Sequence, residues 1–411
     1  MLKPTLGQLF YIFFSLGFTS FGGPAAHFVY FHQCFVEKKS WISATQFSQI
    51  MALSQIIPGP SSSQTGMAIG YVLHGYRGAC IAWLAFTLPS AVIMALLAVY
   101  IHQTQLNLEQ QFFYSLMSIV LAIVTFAFWQ MLRSYCQKIW QYIVMLLSCL
   151  AILYLPFNQA PLIVILLALG WGWIFTRFKP FNANSLNNAN SINSANLEAL
   201  RLDFPWQLKQ AKSYLWLVLF IFCFAGLYLL QWLYPSNLYQ SLYQFYASSA
   251  LVFGGGHVIL PLLQNGFVNT QLLDAQQFEM GYAFAQLMPG PLFSFAAYIG
   301  SLLPLSTAPW INAILASLFI FLPSFFLVFG TLPYWSAILR HPQIQVLLLS
   351  VNASVVGLLL ALIIPMAQRT MVSIPNLFCF VVMLLCLKFK LPIYISIPVT
   401  LIATQLISLL F

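Results

Sequence analysis

Hydrophobic residues run through this chain in long, almost unbroken stretches, and polar residues gather in short gaps between them. Stretches of that kind, each about 20 residues, suffice to cross a hydrocarbon core roughly 30 Å thick. Thirteen runs stand out, at about 6–35, 43–75, 78–102, 110–132, 139–155, 160–176, 213–233, 240–265, 275–304, 310–332, 343–365, 370–387 and 391–411. The pattern predicts an all-α polytopic membrane protein of about thirteen spans. One stretch breaks it. Residues 177–212 hold five basic residues, and 181–196 form an Asn/Ser/Ala tract without helical period, which reads as a solvated linker.

The two sides of that linker repeat. Phe21-Gly22-Gly23-Pro24 matches Phe253-Gly254-Gly255-Gly256, and Phe35-Val36 matches Phe267-Val268. Gln46-Phe47 matches Gln277-Phe278, Pro58-Gly59-Pro60 matches Pro289-Gly290-Pro291, and Leu88-Pro89-Ser90 matches Leu322-Pro323-Ser324. The order is collinear and the offset nearly constant, which marks an internal duplication. The expected organisation is a membrane repeat at 1–176, the linker at 177–212, an extra span and connection at 213–239, and a second repeat at 240–411. The extra span inverts the second repeat.

Composition narrows the class. Of 411 residues 61% are hydrophobic and only 5% charged, and the mean hydropathy is +0.88. A soluble domain carries about a quarter charged residues, so a soluble enzyme is excluded. The formal net charge of +9 comes from scattered single Lys and Arg, without the basic blocks of a nucleic-acid binder. It works as a topology signal instead. With thirteen crossings and the N-terminus in the cytoplasm, 12 basic residues face inward against Lys38, Lys39 and Arg369. If 43–75 and 275–304 re-enter instead of crossing, the ratio is 11 to 4 and the repeats become parallel. The seven Cys are dispersed, with no disulfide framework, metal-ligand spacing or cofactor motif.

Each half interrupts apolar sequence with Gly and Pro, which is costly where no water can satisfy freed backbone groups. Such breaks persist where they line a cavity. A new helix starting after Pro24 or Pro60 would aim free N–H donors and a partial positive charge at the break. The candidate anion-binding set is therefore Gly22, Gly23, Pro24, Pro58, Gly59, Pro60, Gly254, Gly255, Gly256, Pro289, Gly290 and Pro291. Ser61, Ser62, Ser63 and Ser294 add hydroxyls, and Arg77 a gating cation. Lys38 and Lys39 either steer anions or anchor the interface, with Glu37 as their local partner. His27 and His257 follow glycine breaks, where a proton carrier and a hydrogen-bonded structural histidine are the two readings. Asp274 and Glu279 either exchange protons or, for Asp274, cap a helix. Gly66 and Gly70 have the spacing of close helix packing.

The same motifs resemble the chromate ion transporter family. They are Phe21 to His27, Val36-Glu37-Lys38-Lys39 with Trp41, Pro58-Gly59-Pro60, Gly75-Tyr76-Arg77-Gly78, Phe253 to Pro261 and Met288 to Tyr298. The resemblance runs over both halves. It implies the long, two-domain form in a bacterial inner membrane, exporting chromate and exchanging it with or competing against sulfate. The partners expected are a small inorganic anion and the bilayer, with a homodimer as one option and no nucleic acid. The rival readings are a transporter for another small anion or solute, a membrane-embedded enzyme, and a non-transporting scaffold. Dispersed acids and the lack of HExxH or GxSxG oppose the enzyme.

Overall fold

The structure, a computed structural model, describes residues 4–104, 110–155, 159–178, 212–253, 255–305, 308–334 and 342–408. The linker tract and Gly254 lie outside the described residues. Sixteen α-helices follow one another with no strand among the described residues. In the first half they are α1 (Leu6–Thr19), α2 (Gly23–Phe31), α3 (Ala44–Ile56), α4 (Ser61–Thr104), α5 (Gln110–Tyr135), α6 (Ile139–Tyr154) and α7 (Ala160–Phe178). Helix α8 (Tyr214–Leu233) stands alone. Then come α9 (Asn237–Ala250), α10 (Ile259–Leu263), α11 (Ala275–Leu287), α12 (Phe295–Leu302), α13 (Pro309–Thr331), α14 (Pro342–Thr370), α15 (Ile374–Lys388) and α16 (Ile393–Ser408). Apart from α8, each element has a counterpart in the other half, down to a π-helical turn at His32–Lys38 and at Gln264–Val268. Five helices are long and apolar enough to cross a membrane.

Four of the thirteen predicted runs are not single spans. The Phe13 ring lies 5.7 Å from that of Phe31 and 4.9 Å from that of Phe35. In a continuous helix Phe13 and Phe31 would be roughly 27 Å apart, so α1 and α2 fold back as a hairpin whose tip is Ser20-Phe21-Gly22. Phe245 and Phe267, 4.6 Å apart, make the same hairpin in the second half. The runs at 275–304 and 43–75 also turn back. Phe278 meets Phe295 at 5.2 Å, and the Tyr298 hydroxyl donates to the Gln277 carbonyl at 3.1 Å. Helix α3 packs on α4 in the same way. An arm of 13 residues, like α3, is only about 20 Å long, too short for the hydrocarbon core. The sequence suggested full spans because two short apolar arms joined by glycine have the same composition as one long helix.

Within α4 the chain reverses again. His74 and Gly75 leave helical geometry, Gly75 at φ +61°, and residues 76–104 run back along residues 61–73. Gly70 and Gly78 face each other so closely that a Cβ on either would strike the carbonyl of the other. Gly300 takes the same place against the Asn312 carbonyl and Ala316. The GxxxG reading as packing holds, with Gly66 pressed on Phe13 and Phe31.

These reversals sort the chain ends. At one end, Pro4, Lys39 and Trp41 line one pocket, His74 Nε2 contacts the Pro4 carbonyl, and Trp216 at the start of α8 donates to the Tyr76 hydroxyl at 3.2 Å. Phe329, near the end of α13, packs on Tyr76 at 4.8 Å. At the other end, the starts of α5 and α11 meet the end of α14 around one cavity, and Gln159 shares a pocket with Pro235 and Asn237.

Candidate functional site

The four hairpin tips meet, and they meet reciprocally. The Gly59 N–H donates to the Val252 carbonyl at 2.8 Å, and the Gly290 N–H donates to the Ser20 carbonyl at 2.8 Å. Val252 and Ser20 are equivalent positions, each just before a glycine break. A tip from each half thus satisfies its partner in the other, which removes the cost of bare polar backbone in a waterless setting, several kcal/mol per group. Pairing of this kind relates the halves by an approximate two-fold axis.

The matched serines complete the junction. Gly59 has φ +124° and its missing side chain leaves room for Ser324 Oγ, while Gly290, at φ +97°, does the same for Ser90 Oγ. A Cβ at Gly59 would approach Ser324 Oγ to 2.7 Å, and one at Gly290 would approach Ser90 Oγ to 2.9 Å. Both positions therefore need glycine for backbone shape and for space. Pro24 and Leu292 pack beside Gly256, so the first-half and second-half glycine breaks are neighbours.

Helix starts converge here. Helix α2 opens after Gly22 with Pro24 in its first turn and no side-chain cap. Helix α4 opens after Pro60, whose carbonyl accepts from the Gln64 N–H at 2.9 Å, leaving Ser61, Ser62 and Ser63 in the first turn. The second half opens with short 3-10 turns, Gly256–Val258 and Leu292–Ser294. Buried polar atoms without a hydrogen-bond partner among the described residues occur in both halves; those of the first half include Ser20 Oγ, Ser63 Oγ, Gln64 Oε1, Thr87 Oγ1 and His27 Nδ1. Such groups ordinarily find partners; among these the Ser20 and Ser63 hydroxyls can donate, whereas Gln64 Oε1 and His27 Nδ1 only accept, since Gln64 Nε2 is used on the Pro58 carbonyl and Ser324 Oγ and His27 Nε2 on the Ser20 carbonyl.

The predicted residues divide clearly. Gly22, Gly23, Pro24, Pro58, Gly59, Pro60, Ser61, Ser62, Ser63, Gly255, Gly256, Pro289, Gly290, Pro291 and Ser294 lie at the tips or in the turns that open from them. Ser294 Oγ is turned onto its own Pro291 carbonyl at 2.7 Å, so its proton is used. His27 is buried and its Nε2 donates to the Ser20 carbonyl at 3.2 Å, bracing the tip that Gly290 also grips. His257 Nδ1 accepts from the Tyr282 hydroxyl at 2.9 Å, with Gln286 Nε2 at 3.4 Å, which leaves its Nε2 as the donor. Arg77, Lys38 and Lys39 are exposed at the Pro4 end, an arm's length of about 20 Å from the tips. Glu37 pairs with His32 at 3.1 Å rather than with the lysines. Asp274 caps α11, accepting from Gln276 N at 2.7 Å and Gln277 N at 3.3 Å.

Sequence reasoning passed over Ser20, Gln64, Thr87, Tyr282 and the paired Ser90 and Ser324. The serines stood inside a recognised repeat motif and were countable as such. Ser20 gave no signal, because only folding brings its carbonyl to Gly290 and His27.

Paired helical hairpins around a buried polar junction, set in a lipid-facing shell such as α8, define a multi-pass membrane transporter. A family model described as "Chromate transporter" matches residues 7–173 and again residues 239–408. The chain belongs to the chromate transporter family. It is 28% identical over 396 residues to a chromate transport protein of Cupriavidus metallidurans, covering 94% of this chain and 89% of that one. An uncharacterized transporter of Methanocaldococcus jannaschii is 28% identical over 391 residues, covering 94% and 91%. A probable chromate transport protein of Synechococcus elongatus is 27% identical over 381 residues, covering 90% and 87%. No solved structure matches.

Proposed function

We propose that this protein exports chromate, a tetrahedral dianion, across the bacterial inner membrane by alternating access, with sulfate as exchange partner or competitor. The observation that carries this is the reciprocal tip junction, Gly59 to Val252 and Gly290 to Ser20, around which uncapped helix starts and unpartnered hydroxyls gather. Backbone N–H groups of the turns after Gly22, Pro60, Gly255 and Pro291 hold the anion, with Ser61, Ser62 and Ser63 as hydroxyl donors. Arg77, Lys38 and Lys39 act at the entrance. An inside-negative potential favours the outward step by about 2.3 kcal/mol per charge per 100 mV.

The repeats, 1–176 and 240–411, are inverted in this reading. Hairpins add an even number of crossings whether their arms span or turn back, so α8 alone changes the side from which the second half starts. In this reading nine helices cross: residues 76–104 of α4, α5, α8, α13 and α14, and the shorter apolar helices α6, α7, α15 and α16. Among the described residues, chain order then puts every Lys and Arg except Arg369 at the Pro4 end, nine of ten. By the positive-inside rule that end is cytoplasmic, with the N-terminus inside and the C-terminus outside. In this reading the bias exceeds both ratios expected from the sequence, with Lys38 and Arg77 on one face.

The test is thermal stabilisation of the purified protein by chromate, sulfate, molybdate, phosphate and chloride, with chromate flux in proteoliposomes. Chromate is expected to stabilise most, sulfate next, and chloride not at all. Stabilisation by chloride alone, or no chromate flux, would overturn the assignment.

A further inference from the structure

At the mouth opposite the basic end a cavity of about 590 Å³ is lined by Asp274 and Glu279 of α11, Tyr114 of α5, and Arg369 and Thr370 of α14. Glu279 is only 9% exposed and accepts no hydrogen bond from any described residue. Glu279 and Arg369 share the cavity without forming an ion pair. Asp274 is committed to its cap. Helices α4, α12 and α16 also pack on α11 but add no acid or base to the lining, and the Tyr298 hydroxyl of α12 is bonded to the Gln277 carbonyl. Among the described residues, Arg369 is also the single Lys or Arg that chain order places at this end.

We propose that Glu279 and the transported anion compete for Arg369, and that the competition makes anion binding at this mouth take up one proton. A buried carboxylate is stable with a cation beside it or with a proton on it. When the anion pairs with Arg369, Glu279 has only the proton; when the anion leaves, Arg369 is free to reach Glu279 and the proton is released. No bond other than that O–H forms or breaks. Linkage is reciprocal, so protons strengthen anion binding as the anion strengthens proton binding. The first half carries no such pair, since Ser43 and Ser48 stand where Asp274 and Glu279 stand in the second. This inference rests on the chromate reading.

The test is chromate counterflow in de-energised right-side-out membrane vesicles preloaded with unlabelled chromate, across the alkaline range in which chromate is a dianion. The wild-type KM for external chromate should rise by about tenfold per pH unit, as one linked proton requires. Glu279→Gln, a stand-in for the protonated state, should keep counterflow with a lower, pH-independent KM, a gain that misfolding cannot produce. Arg369→Gln should raise KM by about tenfold or more and remove the slope. A wild-type slope in Glu279→Gln, a flat wild type, or a Glu279→Gln protein that inserts but gives no counterflow would overturn the proposal. Wild-type vesicles that take up no chromate would overturn the transport reading itself.

Discussion

The first-half and second-half hairpin tips share a backbone and differ in chemistry. Each tip glycine donates across to the other half at the same 2.8 Å, and each leaves space for the serine of the other half's Leu-Pro-Ser motif. Around that common frame, Ser20, His27, Gln64 and Thr87 of the first half stand opposite Val252, Ile259, Phe295 and Phe321 of the second, and Ser61-Ser62-Ser63 opposite Leu292-Phe293-Ser294. The second half answers with His257 and Tyr282, where the first has Ala25 and Met51, while Gln286 and Gln55 match. Duplication gave the scaffold, and divergence gave the two halves different polar side chains around it.

The comparison breaks hardest at the shared frame. Gly59→Val and Gly290→Val should each reduce chromate flux in proteoliposomes by more than about a hundredfold, because a β-branched residue meets both a left-handed backbone and a serine hydroxyl. Equal losses from the two support the two-fold frame, whereas a loss confined to Gly59 would tie function to the first half alone. Next in size, Ser63→Ala should cost about tenfold in chromate affinity, about one charge-assisted hydrogen bond. Ser294→Ala should change affinity less than about threefold, its hydroxyl being turned onto Pro291. His27→Leu should act on stability, by about 1–3 kcal/mol, read as a lower melting temperature with chromate affinity retained, since its ring braces the Ser20 carbonyl. Smallest, Arg77→Gln should slow flux about twofold or less, and less still at high salt, because the residue is exposed and far from the tips.

Much of this was legible in the chain. Collinear Phe-Gly-Gly, Pro-Gly-Pro and Leu-Pro-Ser matches disclosed the duplication. Gly59 and Gly290 emerged as the pivotal positions because a glycine flanked by prolines interrupts a helix that the apolar residues on either side would otherwise continue. Re-entry of 43–75 and 275–304 was one of two readings the sequence left open, but the hairpins at 6–35 and 240–265 were not legible. Hydropathy counts apolar residues but not direction, so residues 6–35 read as one span although Phe13 sits against Phe35. Pairing across the halves was equally hidden, since Gly59 and Val252 are almost two hundred residues apart and their bond runs between backbone atoms that every residue type carries alike. Asymmetry among the side chains was visible position by position, yet it acquired meaning only once Ser20 and Thr87 were seen without partners.

The most direct test is an experimental structure of the protein with chromate bound in a lipid nanodisc. A single oxyanion at the junction, within hydrogen-bonding distance of the Ser61 to Ser63 turn and of the Gly255 to Gly256 break, is the predicted result. An anion held instead at Arg77 and the Lys38-Lys39 face, with the tips empty, would contradict the account.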